Sequence, residues 1–119
     1  TATGTVITSF APGATGVELL LSLVLKWSQQ DGVDIKRALA TVTSGPASVL
    51  GAALGSSRGS VGHLTVGGAA DLCIVDPHAQ WVAAPQDLRS QGKHTPFSSY
   101  ELAARARCTV VGGQVAFHA

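Results

Sequence analysis

The feature that most constrains the fold of this sequence is a pair of β-rich runs around two glycines near its end. In RCTVVGGQVAF, residues 107–117, Gly112 and Gly113 separate these runs. A Gly-Gly pair favours a tight hairpin turn, because both turn residues must adopt positive φ and glycine does so without steric cost. The sequence therefore predicts a C-terminal antiparallel hairpin.

Two further stretches predict strands before this hairpin. ADLCIV, residues 70–75, is apolar on both faces, as in a buried strand, and we expect Asp76 and Pro77 to end it. AQWVA, residues 79–83, predicts another short strand. Asp71 and Asp76 would point to opposite faces and do not form a catalytic pair. We expect Asp71 to hydrogen-bond a neighbouring turn and Asp76 to start a turn before Pro77.

The first half of the sequence predicts helices. Apolar residues at i, i+3, i+4, i+7 and i+8 predict an amphipathic helix: Val17, Leu20, Leu21, Val24 and Leu25. Leu19 and Leu23 lie off this stripe, so we expect the helix to be covered on more than one side. Thr15 and Glu18 match a capping box, with Thr15 as N-cap and Glu18 reaching back. The helix should end near Gly32.

Two shorter helices are predicted to follow. Asp34 is a candidate N-cap for the second, which carries Ile35, Leu39 and Val42 on one face. In SGPASVLG, residues 44–51, the serine can cap the third helix, the proline suits its first turn and the glycine can end it. Helices thus precede strands, as at the boundary between an α/β layer and a β layer.

The composition points to a surface that other protein covers. The chain has 119 residues, of which 45% are hydrophobic and 13% are charged, whereas about 25% charged residues is usual for a globular domain. A larger parent protein, an oligomer, or both would explain this deficit. The absence of methionine also suggests a piece of a longer chain. Alone, the predicted strands would expose an edge, so we expect order to depend on contacts with another polypeptide.

Several partners are disfavoured. The net charge is +1 and the basic residues are scattered, which argues against nucleic-acid binding. The apolar run at residues 17–25 is too short to cross a membrane, which takes about 20 residues.

Cys73 and Cys108 lie in apolar strand-like runs, and we expect both to be reduced and buried in a cytoplasmic protein.

The chemistry for catalysis is largely missing from this stretch of chain. The histidines are His63, His78, His94 and His118. None of them has metal-ligand spacing, so we expect exposed or loop histidines and no metal site on this chain alone. The remaining candidate is the loop Pro12, Gly13 and Ala14 before the first helix. It either closes a packing corner or presents backbone N–H groups to an anion at the helix start. The residues alone favour the packing corner.

Five segments, taken in order, resemble the C-terminal third of bacterial dihydroorotases, which belong to the amidohydrolase superfamily. They are APGATGVELLLSL, TSGPASVLG, GSVGHLTVGGAADLCIVDP, SQGKHTPFSSYEL and ARCTVVGGQVAF. Allantoinases and hydantoinases share G-x-x-ADL-x-x-x-DP. The P-G-A-T-G-V-E loop and G-K-x-T-P-F at residues 92–97 favour dihydroorotase over them.

The resemblance implies an α/β fold in two parts. Residues 1–55 would form the last helical units and the substrate loop of a TIM-like barrel, and residues 56–119 would form strands of a small β-sandwich with the C-terminal hairpin. In the family, the loop that matches Pro12 and Gly13 touches dihydroorotate through its backbone, which favours the anion interpretation. The resemblance also implies zinc in an intact parent, but no metal ligand or general base of the family lies in this chain.

Three functions remain open at the level of sequence. The parent is a cytoplasmic dihydroorotase that interconverts N-carbamoyl-aspartate and dihydroorotate in pyrimidine biosynthesis, a non-catalytic homologue that assembles with aspartate carbamoyltransferase, or another cyclic amidase such as an allantoinase or hydantoinase. The expected partners are the N-terminal remainder of the protein, the small-molecule substrate and, in an oligomer, further copies or the transferase.

Overall fold

A three-stranded antiparallel sheet occupies the C-terminal half of the chain. The computed structural model describes residues 13–59 and 61–119. Strands β1 (Leu72–Val82), β2 (Glu101–Val111) and β3 (Gln114–His118) lie in the order β1-β2-β3. Gly112 and Gly113 have φ values of 57° and 79°, as a hairpin turn of this kind requires. The predicted hairpin is therefore confirmed.

Strand β1 is longer than predicted, and the expectation that Asp76 and Pro77 end it is wrong. The register jumps between Asp76 and Gln80, so the residues between them form an irregularity and pairing with β2 then resumes. The stretch AQWVA is thus the second half of β1 rather than a separate strand. Asp76 does accept a hydrogen bond from the His78 N–H at 3.0 Å, so the predicted turn exists inside the strand.

Asp71 holds the start of the sheet to the hairpin turn, as predicted. Its Oδ1 accepts a hydrogen bond from the Gly112 N–H at 2.7 Å. The thiols of Cys73 and Cys108 are free, but Cys73 is exposed and Cys108 is only half-buried. The expectation that both cysteines are buried is wrong because the described residues do not cover the outer part of β1.

Among the residues that the structure describes, three α-helices precede the sheet, at the predicted places. A short 3-10 turn (Val17–Leu19) leads into α1 (Leu20–Asp31), which is followed by α2 (Ile35–Ala40) and α3 (Ser44–Leu50). A 3-10 segment, Gly51–Gly59, continues from α3. Gly32 ends α1 with a φ of 65°, as expected for a left-handed C-cap.

The two short helices have the predicted ends, with one shift. The Asp34 carboxylate accepts hydrogen bonds from the backbone N–H groups of Lys36 and Arg37 at 3.0 and 3.2 Å, so it is the N-cap of α2. Thr43, rather than Ser44, occupies the N-cap position of α3, and Gly51 occupies its C-cap position.

The stretch Ile35–Gly55 is long and apolar enough, by composition alone, to span a membrane. It contains two separate helices, because α2 ends at Ala40 and α3 begins at Ser44. A membrane-spanning helix must satisfy its backbone hydrogen bonds continuously within the bilayer. The break between α2 and α3 makes this stretch a weak candidate for a membrane span.

The core is small and joins α1 to the sheet. The buried cluster consists of Leu19, Ala83, Leu88 and Leu102, against which Leu23, Trp81 and Phe97 pack. The backbone of Ala104 in β2 has a φ of 66°, and its carbonyl oxygen accepts hydrogen bonds from Ser22 Oγ and Trp81 Nε1 at 2.8 and 2.9 Å. These bonds fix α1 against β1 and β2.

The apolar stripe predicted to be the inner face of α1 is mostly not in this core. Val17 is 89% exposed and Leu20 is 48% exposed, whereas Leu19, off the stripe, is fully buried. Leu25 at the end of the stripe is buried. The helix is therefore apolar on two sides, as predicted, and the described residues cover the side of Leu19 and the Leu25 end of the stripe but leave its Val17 end exposed.

Candidate functional site

The loop before α1 is the candidate site that the sequence indicated. Pro12 lies outside the described residues. Gly13 is exposed, and its φ of 84° is one that residues with a Cβ adopt at a steric cost. A Cβ at Gly13 would meet no described atom within 4 Å. Within the described residues, Gly13 therefore does not close a packing corner.

Thr15 ties this loop to a distant part of the chain. Its backbone N–H donates to the carbonyl oxygen of His94 at 2.7 Å, and its Oγ1 donates to the carbonyl oxygen of Gly92 at 2.9 Å. A Cβ at Gly92 would lie 2.7 Å from Thr15 Oγ1. Only glycine at position 92 allows this approach without a shift of the Thr15 side chain.

Glu18 adds a second attachment to the same distant segment. Its carboxylate accepts hydrogen bonds from the backbone N–H groups of Arg89 and Ser90 at 3.1 and 3.2 Å. We call the four hydrogen bonds that Thr15 and Glu18 make with residues 89–94 the clasp. The predicted capping box is wrong, because both side chains bond to this segment instead of to each other's backbone.

The electrostatics of Glu18 follow from the clasp. Partial burial alone would raise the pKa of this carboxyl group. The hydrogen bonds from Arg89 and Ser90 and the charge of Lys93 outweigh that effect and hold the pKa of Glu18 below its ordinary value. The folded chain thus favours the ionised form of Glu18, which is the form that accepts both backbone hydrogen bonds.

We expect the clasp to loosen in acid. Because the pKa of Glu18 is lower in the folded state than in the unfolded state, its contribution to stability is complete above the unfolded pKa, about 4.3 for a glutamate. That contribution is lost as the pH falls through the lower folded pKa. An NMR titration of the Glu18 carboxyl carbon should give a midpoint below about 4.3, the ordinary value for a glutamate. An equal or higher midpoint would contradict the clasp.

The clasp leaves the helix start open. Gly16 occupies the N-cap position, and within the described residues no side chain caps the turn at Val17–Leu19 or the start of α1. The first N–H groups of a helix have no acceptor within the helix, and the helix dipole favours an anion beside them. This end of the helix can therefore accept a carboxylate or a similar group from outside the described residues.

Metal ligands are not found beside this loop. Across residues 13–59 and 61–119, no group of three or more His, Cys, Asp or Glu side chains could hold a metal ion. The four histidines are exposed, as predicted. A binuclear metal centre does not fit these side chains.

The profile of the Amidohydrolase family matches residues 14–117, from the candidate loop to the last strand. The chain belongs to the amidohydrolase family. A D-hydantoinase (dihydropyrimidinase) from Thermus sp. superimposes on it with a TM-score of 0.71, over 82% of this chain and 20% of that one, at 23% identity. The shared feature at this identity is the amidohydrolase fold, with its mixture of helices and a small antiparallel sheet.

The relatives that match this chain in sequence include dihydroorotases, as the sequence motifs indicate. A dihydroorotase from Syntrophotalea carbinolica is 37% identical over 88% of this chain, and a dihydroorotase-like protein from Pseudomonas putida is 41% identical over 87%. The chain covers 23% of the length of each. This amidohydrolase chain therefore spans about a quarter of the relatives that it matches.

The sequence indicates the candidate loop of this amidohydrolase but not the clasp. Thr15 and Glu18 fit a local capping pattern, and the carbonyl groups of Gly92 and His94 carry no side-chain signal that would identify them as partners. One signal is present in the sequence: Thr15 and Glu18 lie within APGATGVELLLSL, and Ser90, Gly92 and His94 lie within SQGKHTPFSSYEL, two of the segments that carry the resemblance to dihydroorotases.

Proposed function

We propose that this chain is the C-terminal part of a dihydroorotase-type cyclic amidohydrolase. The intact protein would interconvert N-carbamoyl-aspartate and dihydroorotate in the cytoplasm, as a step of pyrimidine biosynthesis. Residues 1–55 would complete the barrel and carry the substrate loop, and residues 56–119 would form strands of the β-sandwich. Zinc ligands and the general base would come from the rest of the protein.

In this proposal, the backbone of Pro12 and Gly13 contacts the substrate. The observation that carries it is the open helix start: Glu18 is turned away towards Arg89 and Ser90, so its carboxylate does not fill the anion position. Dihydroorotate has a carboxylate that suits this position. Such an interaction contributes about 0.3–1 kcal/mol when exposed and more when partly buried.

The area of exposed apolar surface supports the idea that this chain is a part of a larger assembly. Val17 in the 3-10 turn, Leu20 on α1 and Ile74 on β1 are all substantially exposed. Clustered exposure of large apolar side chains is typical of a surface that contacts other protein. The expected cover is the N-terminal remainder of the same protein, with further copies in a homo-oligomer as an additional possibility to test.

A second candidate function is a non-catalytic homologue that assembles with aspartate carbamoyltransferase. The relative of 41% identity is named only as dihydroorotase-like, and this favours keeping the candidate. The two proposals differ in whether the rest of the protein carries the metal ligands and the general base. Zinc content and turnover of carbamoyl-aspartate by the full-length protein separate them, and a panel of cyclic amides tests for an allantoinase or hydantoinase.

We expect Gly13→Ala in the full-length protein to weaken the binding of dihydroorotate. An alanine at a φ of 84° costs about 1–2 kcal/mol, so the loop should shift and lose its backbone contact. A loss of about 1.4 kcal/mol corresponds to a tenfold increase in Kd. Isothermal calorimetry with L-dihydroorotate measures this change.

Gly67→Ala is the matched control for Gly13→Ala. Gly67 has a φ of 80°, close to that of Gly13, a Cβ there also meets nothing within 4 Å of the described atoms, and the residue is not part of the candidate loop. The control should bind dihydroorotate like the unchanged protein. Equal binding by all three proteins would remove the substrate role of the loop.

A further inference from the structure

The clasp joins the candidate substrate loop to residues that are far away in sequence. Thr15 and Gly92 are 77 positions apart, and Glu18 lies 71 and 72 positions from Arg89 and Ser90. The four groups of residues 89–94 that take part in the clasp are all backbone groups, two carbonyl oxygens and two N–H groups. The position of the loop is therefore set by the path of residues 89–94.

We infer that Thr15 and Glu18 are positioning residues that hold the Gly13–Gly16 loop in its substrate-binding geometry. This inference rests on the proposed function of the loop. Neither residue is assigned a contact with substrate. They act through the backbone of the loop, whose N–H groups must be placed to within a fraction of an ångström to bind an anion well.

The bonding pattern distinguishes positioning from general stabilisation. Thr15 lies two residues after Gly13, and its N–H and hydroxyl both bond to the 92–94 segment, so it fixes the direction of the loop at its C-terminal end. Glu18 fixes the first helical turn to the 89–90 segment. With both ends of this short span held, the N–H groups of Gly16 and Val17 have a defined direction.

Glu18→Ala tests the inference, with Asp34→Ala as its matched control. Both carboxylates accept two backbone hydrogen bonds of similar length, but those of Asp34 cap α2, away from the loop. In the full-length protein, Glu18→Ala should raise the Kd for L-dihydroorotate about tenfold. Asp34→Ala should leave it within twofold. Equal effects of the two variants would overturn the inference.

Thr15 provides a second, independent pair of test variants. Thr15→Val removes the hydroxyl that bonds to Gly92, whereas Thr15→Ser keeps it, so the serine variant should restore the binding that valine loses. Thr41→Val removes a comparable bond, from Oγ1 to the Ala38 carbonyl oxygen at 2.6 Å in α2, and should not affect binding. Hydrogen exchange of the Thr15 amide should accelerate at least tenfold in Glu18→Ala and not in Asp34→Ala.

The outcomes separate the inference from the proposed function. If Gly13→Ala weakens binding but Glu18→Ala and Thr15→Val behave like their controls, the loop binds substrate and the positioning inference is wrong. If Gly13→Ala leaves binding unchanged, the substrate role of the loop, on which the inference rests, fails. Should Glu18→Ala fold poorly, Glu18→Gln keeps the shape of the side chain and one acceptor oxygen, and it should raise the Kd by a smaller factor in the same direction.

Discussion

Replacing Gly62 with alanine is expected to lower the free energy of unfolding by about 2–5 kcal/mol. Two costs add. Gly62 has a φ of 79°, where a Cβ costs about 1–2 kcal/mol. The added Cβ would also lie 2.9 Å from Ser44 Cα and 3.0 Å from Ser44 N, and such overpacking costs about 1–3 kcal/mol. The contacts are backbone atoms at the start of α3, which cannot rotate away.

Gly67→Ala is the matched control for this change. Gly67 has nearly the same φ, 80°, but a Cβ there meets no described atom within 4 Å. It should lose only the conformational part, about 1–2 kcal/mol. Denaturation of the full-length protein, followed by circular dichroism, compares the two variants. Equal losses would show that the segment around Gly62 does not pack against α3 as described.

Leu19→Ala is expected to cost about 2–5 kcal/mol, the usual range for emptying a buried leucine site. Leu19 is fully buried and belongs to the cluster with Ala83, Leu88 and Leu102 that joins α1 to the sheet. Few other apolar side chains are available to refill the space in so small a core. Thermal unfolding of the full-length protein should show the loss, and a shift no larger than that of an exposed-site variant would contradict this core.

Leu20→Ala, one position along, tests whether the full-length protein covers the apolar stripe of α1. Leu20 is 48% exposed in this chain. If the full-length protein covers the apolar stripe of α1, as we propose, this variant should also lose more than 1 kcal/mol there. If it loses less than 0.5 kcal/mol, as is usual for an exposed position, the stripe faces solvent and the proposed cover is absent.

Local signals predicted much of the fold. Gly112 and Gly113 marked the hairpin, Asp34 marked the start of α2, and Asp71 was correctly expected to bond a turn. Each of these depends on a residue's own backbone preference or on a partner whose position a turn dictates. Such features need no knowledge of the tertiary structure, which explains why the sequence indicated them.

The errors arose where tertiary contacts outcompeted local ones. Thr15 and Glu18 fit a capping box, but the backbone groups of residues 89–94 offer them alternative bonds that no local pattern reveals. Asp76 and Pro77 do form a turn, yet β1 continues past them because pairing with β2 resumes at Gln80. The exposed part of the α1 stripe has the same cause. An apolar helix face predicts that something covers it, but the helix sequence does not show which part of the protein does so.

The length of chain enclosed by the clasp has a consequence for biosynthesis. Residue 15 leaves the ribosome long before residues 92 and 94, to which it must bond. Until those residues emerge, the nascent helix has no partner to orient its first turn, and closing so long a loop carries an entropic cost. A polypeptide released prematurely before position 94 could contain every residue of the loop and still lack its working shape.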